Sequence, residues 1–85
     1  MPWRQEMSRR ARRDLLDLKD SDRAAVQVAL DRLAADPSSA DLKKLSGGAG
    51  WRLRVGQWRV LVELDTRSGV MLVTRVLNRR DAYRG

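Results

Sequence analysis

The sequence predicts an α+β chain, with a pair of helices first and a mainly antiparallel sheet after them. Three stretches predict it. From Ser8 to Ala35 apolar residues recur at spacings of three and four, the helical period. From Trp51 to Leu64 apolar and polar residues alternate on either side of Gly56-Gln57, as in two strands joined by a two-residue turn. From Val70 to Val76 the chain is rich in β-prone residues. Helices and strands segregated along the chain in this way belong to the α+β class.

Taken in order, residues 3–7 read as a short strand with Trp3, Gln5 and Met7 on one face and Arg4 and Glu6 on the other. Ser8 carries the short oxygen-bearing side chain of a helix N-cap. A helix is expected from there to about Lys19, burying Ala11, Leu15 and Leu18. Arg9, Arg10, Arg12 and Arg13 crowd its first turns, where the helix dipole disfavours cations. A solvated helix face accounts for them; an auxiliary phosphate contact or partner-facing surface is the alternative. Asp20-Ser21 breaks the pattern and offers a second cap. The next helix is expected from about Asp22 to Ala35, with Val26, Leu30 and Leu33 on one stripe and the small Ala25, Ala29 and Ala34 beside it. So short a link makes the two an antiparallel helical hairpin. Pro37 ends the second helix. Residues 40–45 fit either a helical turn or an extended run anchored by Leu42 and Leu45. Ser46-Gly47-Gly48-Ala49-Gly50 lacks the Lys-Ser/Thr of a nucleotide loop and leads into a strand, so it reads as a flexible lead-in.

The stretch that organises the chain is the hairpin. With Gly56-Gln57 as a type II′ turn, Val55 faces Trp58, Arg54 faces Arg59, Leu53 faces Val60 and Arg52 faces Leu61. Alternation then puts Trp51, Leu53, Val55, Trp58, Val60, Val62 and Leu64 on a core face, and Arg52, Arg54, Arg59, Leu61 and Glu63 on the other. Arginines directly opposite one another destabilise a sheet, where a favourable pair would contribute roughly 0.2–1 kcal/mol. A fold gains nothing from that arrangement. A polyanion site does, because guanidinium groups fork onto phosphate oxygens and keep their charge when partly desolvated. After the loop Asp65-Thr66-Arg67-Ser68-Gly69, a pairing of Leu64 with Val70 would set Arg75 opposite Arg59 and lengthen the arginine row.

Composition limits the chemistry. A chain of 85 residues and 9.7 kDa is read as one domain, residues 1–85, burying roughly 60% of its extended surface. It has no cysteine and no histidine, which removes disulfides, thiolate metal sites, Ser-His-Asp and Cys-His catalysis and the usual near-neutral base. Neither a metal nor a cofactor is expected. No apolar run approaches the roughly 20 residues of a membrane span, and the N-terminus lacks a signal segment, so a cytoplasmic protein with no membrane association is expected. The net charge is +7, and fifteen of the eighteen basic residues are Arg. Residues 46–85 carry eight basic and three acidic side chains, so the positive field sits in the C-terminal half and points to nucleic acid or an acidic protein.

The order of elements resembles the RelE/ParE superfamily of toxins from type II toxin-antitoxin systems. The resemblance is carried by Ala11-Arg12-Arg13-Asp14-Leu15, Leu33-Ala34-Ala35-Asp36-Pro37, Leu42-Lys43-Lys44-Leu45-Ser46-Gly47, the hairpin from Trp51 to Val60, and Asn78-Arg79-Arg80-Asp81-Ala82-Tyr83-Arg84. It implies two helices packed on a small twisted, mainly antiparallel sheet. In the RelE branch it implies cleavage of mRNA at the ribosome, by attack of a 2′-OH on the adjacent phosphate. The basic positions of a Tyr-Lys-x-Lys-like motif then fall on Arg52 and Arg54, the next strand's arginine on Arg59, and the tail's arginine and tyrosine on Arg79 or Arg80 and on Tyr83. Lys43, Lys44, Arg75, Arg80 and Arg84 are the expected RNA contacts. Arginine stabilises charge but transfers no proton. Where many relatives have His ahead of the tail, this chain has Asn78, which leaves Tyr83, with Glu63 behind it, for proton transfer. The resemblance also implies a cognate acidic antitoxin that folds on binding. The alternatives are a ParE-like inhibitor of DNA gyrase that hydrolyses nothing, and a non-catalytic RNA-binding module.

Overall fold

The computed structural model describes residues 3–39, 41–45 and 50–82, the side chains of residues 39, 81 and 82 excepted. The elements are β1 (Arg4–Met7), α1 (Arg9–Leu16), α2 (Asp20–Ala35), a 3₁₀ turn (Pro37–Ser39), β2 (Leu42–Lys44), β3 (Gly50–Val55), β4 (Trp58–Asp65), β5 (Val70–Asn78) and α3 (Arg79–Ala82). Among the described residues the sheet order is β1-β5-β4-β3-β2; β1 runs parallel to β5 and every other pair is antiparallel. α1 and α2 cover one face, giving the α+β arrangement that the sequence predicts.

Ser8 makes the first corner. Its Oγ accepts from the Ala11 amide at 3.1 Å and donates to the Thr74 carbonyl at 2.9 Å, while its own amide donates to Val73 O. One residue therefore caps α1 and fastens it to β5. The helix stops at Leu16, three residues short of the expected end. Leu18 is buried all the same, because the link to α2 folds it under. Helix α2 starts earlier than expected, at Asp20, and its N-cap is Lys19, which has no side-chain acceptor. Asp20 and Asp22 lie in its first turn and stabilise its N-terminus through the dipole instead. Pro37 does end the helix, with Asp36 as C-cap.

The core is the contact of these helices with the inner sheet face. Ala11, Leu15, Val26, Leu30 and Leu33 meet Leu53, Val60, Val62, Met71, Val73 and Val76, all buried. Trp3, Met7, Trp51 and Trp58 close its margins. Of the three small residues beside the α2 stripe, Ala34 is buried, Ala29 half-buried and Ala25 exposed. Trp3 N donates to Ala34 O, and Gln5 and Gln27 both donate to Asp31 Oδ1, joining β1 to α2. Those two bonds, Gln5 first, hold the Asp31 carboxyl below the usual range.

Residues 42–44 resolve the earlier choice between turn and strand in favour of the strand, paired antiparallel to β3. The β3–β4 register is the one the turn predicts. Gly56 has φ +59°, and no described non-glycine residue has positive φ, so Gln57 does not. That combination fits a type II′ turn and excludes type I′. The β4–β5 register differs from expectation. Asp65 faces Val70, a bulge at Thr74 shifts the ladder between Leu61 and Val62, and Arg75 stands opposite Leu61 while Leu77 stands opposite Arg59. A five-residue loop does not fix register as a two-residue turn does, and the bulge adds a residue that no alternation reveals. No helix among the described residues is long and apolar enough to cross a membrane.

Candidate nucleic-acid interface

The outer face of the hairpin holds most of the residues in question. Alternation and pairing bring Lys43 beside Arg52, Arg52 beside Leu61, and Arg54 beside Arg59. Lys43, Arg52, Arg54 and Arg59 line one depression of about 260 Å³ together with Asp41 and Leu42.

Arg59 is its floor. It is only 5% exposed, and its Nη1 donates to Gly56 O and to Trp58 O, each at 3.0 Å. Among the described residues no carboxylate pairs with it. A buried cation is costly unless something compensates it. Here two carbonyl dipoles do so in part, and they also fix the turn. Arg54 is well exposed and bonds through Nε to Asp41 Oδ2 at 2.7 Å; its amide also donates to Asp41 O. Arg52 is half-buried. The site is therefore a buried cationic floor with more exposed cationic walls and one carboxylate at its rim.

The other predicted residues divide. Lys44 pairs with Trp51, which puts it on the face opposite Lys43, with Nζ 5.9 Å from the Trp51 ring centre. That distance suits a cation–π contact. Arg75 is drawn away: its guanidinium bonds Asp14 on α1, Nε to Oδ2 at 2.9 Å, and the same Oδ2 accepts the Val76 amide. The arginine row therefore does not extend to β5. Arg79 and Arg80 are exposed at the start of α3, and the Arg79 amide donates to Gln57 O at 2.7 Å, so the tail begins against the hairpin turn. Asn78 pairs with Trp58 and accepts the Arg80 amide through Oδ1, acting as a cap for α3. Glu63 lies toward the other end of the outer face, lining a cavity with Glu6, Asp65 and Arg4. Tyr83 and Arg84 lie outside the described residues.

Two carboxylates escaped the sequence reading. Asp14 sits among arginines in α1 and Asp41 precedes a Leu-Lys-Lys run; neither has a spacing that announces its partner. Both partners are set by tertiary pairing.

The family model described as "ParE toxin of type II toxin-antitoxin system, parDE" matches residues 6–83. The chain belongs to this family. The toxin's fold is also that of solved RelE proteins. It superposes on a chain of the RelBE2 toxin-antitoxin complex of Mycobacterium tuberculosis with TM-score 0.78 at 26% identity, covering 93% of this chain and 100% of that one. A chain of the archaeal RelE-RelB complex of Pyrococcus horikoshii gives TM-score 0.80 at 21% identity, with both chains covered fully. A free-state mutant of Escherichia coli RelE gives 0.78 at 18%, covering 98% of this chain and 88% of that one. A search among curated protein sequences gives no match. The RelE/ParE membership inferred from the sequence is thus established.

Proposed function

We propose that this toxin is a metal-independent endoribonuclease that cuts mRNA on the ribosome by 2′-OH attack on the adjacent phosphate. The observation that carries the reading is Arg59, a guanidinium buried without a carboxylate partner among the described residues, at the floor of a depression walled by Lys43, Arg52 and Arg54. A phosphodiester seated there supplies the missing anion. Its oxygens gain charge as the transition state forms, and preorganised donors in a shielded site stabilise that charge more than they stabilise the ground state. Arg79 and Arg80 start at the same turn. With Tyr83 and Arg84 behind them, they complete the proposed contacts, Tyr83 by proton transfer or by stacking on a base. Lys44 and Arg75 serve RNA only peripherally in this reading.

The toxin is also proposed to act in the cytoplasm and to be held inactive by an acidic antitoxin that covers the outer face. The RelBE2 and archaeal RelE-RelB structures are of complexes, and half-buried Leu61, Leu72 and Leu77 give that face apolar contacts beside the charges.

The test is incubation of purified toxin, and of an Arg54→Ala/Arg59→Ala double variant, with mRNA on programmed ribosomes, followed by mapping of 5′-OH and cyclic-phosphate ends. Cuts made by the parent and lost in the variant support the reading. No cuts with or without ribosomes overturn it in favour of a second reading, direct inhibition of DNA gyrase without hydrolysis. The match to the ParE family model favours that alternative, and a supercoiling assay decides it.

A further inference from the structure

The depression needs a proton acceptor that arginine cannot provide, and the chain has no histidine. Glu63, the carboxylate on the hairpin's outer face, stands one strand-step beyond Leu61 and lines a different cavity. Asp41 is the carboxylate that lines the depression itself. Its main-chain oxygen accepts the Arg54 amide at 3.2 Å, which anchors the residue at the start of β2, and its Oδ2 accepts from Arg54 Nε at 2.7 Å. A guanidinium bound through Nε keeps its two terminal nitrogens for a phosphate. A phosphate bound by those nitrogens would stand on an adjacent edge of the guanidinium that holds Asp41, whose carboxylate lines the same depression.

We propose that Asp41 meets the ribose 2′-OH next to a phosphate seated on Arg52, Arg54 and Arg59, accepting its hydrogen bond in the complex and its proton during cleavage. The proposal rests on reading the depression as a phosphodiester seat. In the step, the Asp41 carboxylate takes the 2′-OH proton, the 2′-oxygen lone pair forms a bond to phosphorus, and the P–O5′ bond breaks. O5′ leaves with that electron pair and is protonated by water, and Asp41 returns its proton to solvent. The products are a 2′,3′-cyclic phosphate and a 5′-OH, with no net proton change. Among the described residues the charged groups facing Asp41 are Arg54, Arg52, Lys43 and Arg59 in the sheet and Arg32 of α2, which shares a second cavity with it. All are cations, so the carboxylate is held by attraction from each side.

Two measurements test this. The first needs no turnover: binding of a short RNA is compared with binding of the same oligonucleotide carrying 2′-deoxyribose, for the parent, Asp41→Asn, Asp41→Glu and Glu63→Gln. The parent, Asp41→Glu and Glu63→Gln should prefer the ribose form severalfold. Asp41→Asn should bind both forms at least as tightly as the parent binds RNA and lose most of that preference. The second is cleavage on ribosomes, where Asp41→Asn should lose at least a hundredfold, Asp41→Glu recover part of it and Glu63→Gln match the parent. Equal binding of ribose and deoxyribose by the parent, or an undiminished preference or full cleavage in Asp41→Asn, overturns the assignment. A parent that discriminates through Asp41 but cuts nothing leaves the 2′-OH contact standing and removes the nuclease reading alone.

Discussion

Arg59 and Arg75 stand on adjacent strands of one sheet, yet the structure treats them in opposite ways. Arg75 meets a carboxylate, Asp14, which also takes the Val76 amide at the point where β1 has ended and β5 has no strand neighbour on that side. Among the described residues Arg59 donates only to carbonyl oxygens, and it sinks to 5% exposure. The first arginine has its counter-charge inside the fold and serves to close a sheet edge. The second has no carboxylate among the described residues, and in the proposed function its counter-charge is an RNA phosphate. An arginine's partner therefore separates structural from ligand-directed positive charge better than its place in a row does.

The largest effect should come from breaking the Arg59 side. Arg59→Ala removes a preorganised donor and loosens the turn. Loss of one such donor typically lowers turnover about 10²–10³-fold, and ribosome-dependent cleavage should fall by that order. Arg59→Lys should not restore it, since one ammonium on a flexible stem does not reproduce a fork fixed on two carbonyls. Full activity in either variant would mean that the buried guanidinium is part of the turn and nothing more.

Asp14→Ala breaks the other side. It leaves Arg75 without its carboxylate and the Val76 amide without its acceptor, in a part-buried setting where each loss matters. The expected cost is about 2 kcal/mol, which lowers the melting temperature of a domain this size by roughly 8–16 °C. RNA affinity should stay within twofold of the parent. A loss of affinity without loss of stability would show that Arg75 reaches the ligand after all. Gly56→Ala is smaller still. A side chain there meets nothing within 4 Å, so the cost is the strain of φ +59° alone, about 1–2 kcal/mol, visible as a lower urea midpoint at unchanged slope.

How much of this contrast was legible follows from what fixes register. The hairpin was readable to the residue because a two-residue turn with glycine first leaves one pairing, and Arg54 opposite Arg59 followed. The next register was not, because Thr74 adds a residue to β5 within an unbroken β-prone run. That insertion, together with the one-residue shift that sets Asp65 and not Leu64 opposite Val70, moved Arg75 from Arg59 to Leu61. The end of α1 was misplaced for a related reason: Leu18 keeps the helical spacing and is buried, but the link buries it and not the helix. The parity of Lys43 and Lys44 depended on β2 being a strand, which six residues of sequence left open. Asp14 and Asp41 were invisible because a carboxylate's partner across the fold leaves no period in the chain.

The smallest effect belongs to the acidic end of the outer face, where charge again serves the backbone. Asp65 Oδ1 accepts the Arg67 amide at 3.0 Å and the Ser68 amide at 3.4 Å, closing the turn that Gly69 completes with φ +71°. The Ser68 side chain first, and then these amides, hold the Asp65 carboxyl below its usual range. A carboxyl depressed on folding adds stability that is present above its unfolded value, about 3.9, and is lost as the pH falls through the lower folded value. The parent should therefore melt above Asp65→Ala at pH 6, and the gap should close progressively once the pH drops below about 3.9. Because Asp65 is exposed, the gap should be a few degrees at most, measured as paired thermal melts from pH 6 to pH 2. A gap that widens on acidification would rule out the cap. Phosphate affinity should not change in this variant, because an exposed charge more than a Debye length of about 10 Å away is screened at 0.1 M salt, and the depression would then be shown to act without the acidic end of its own sheet face.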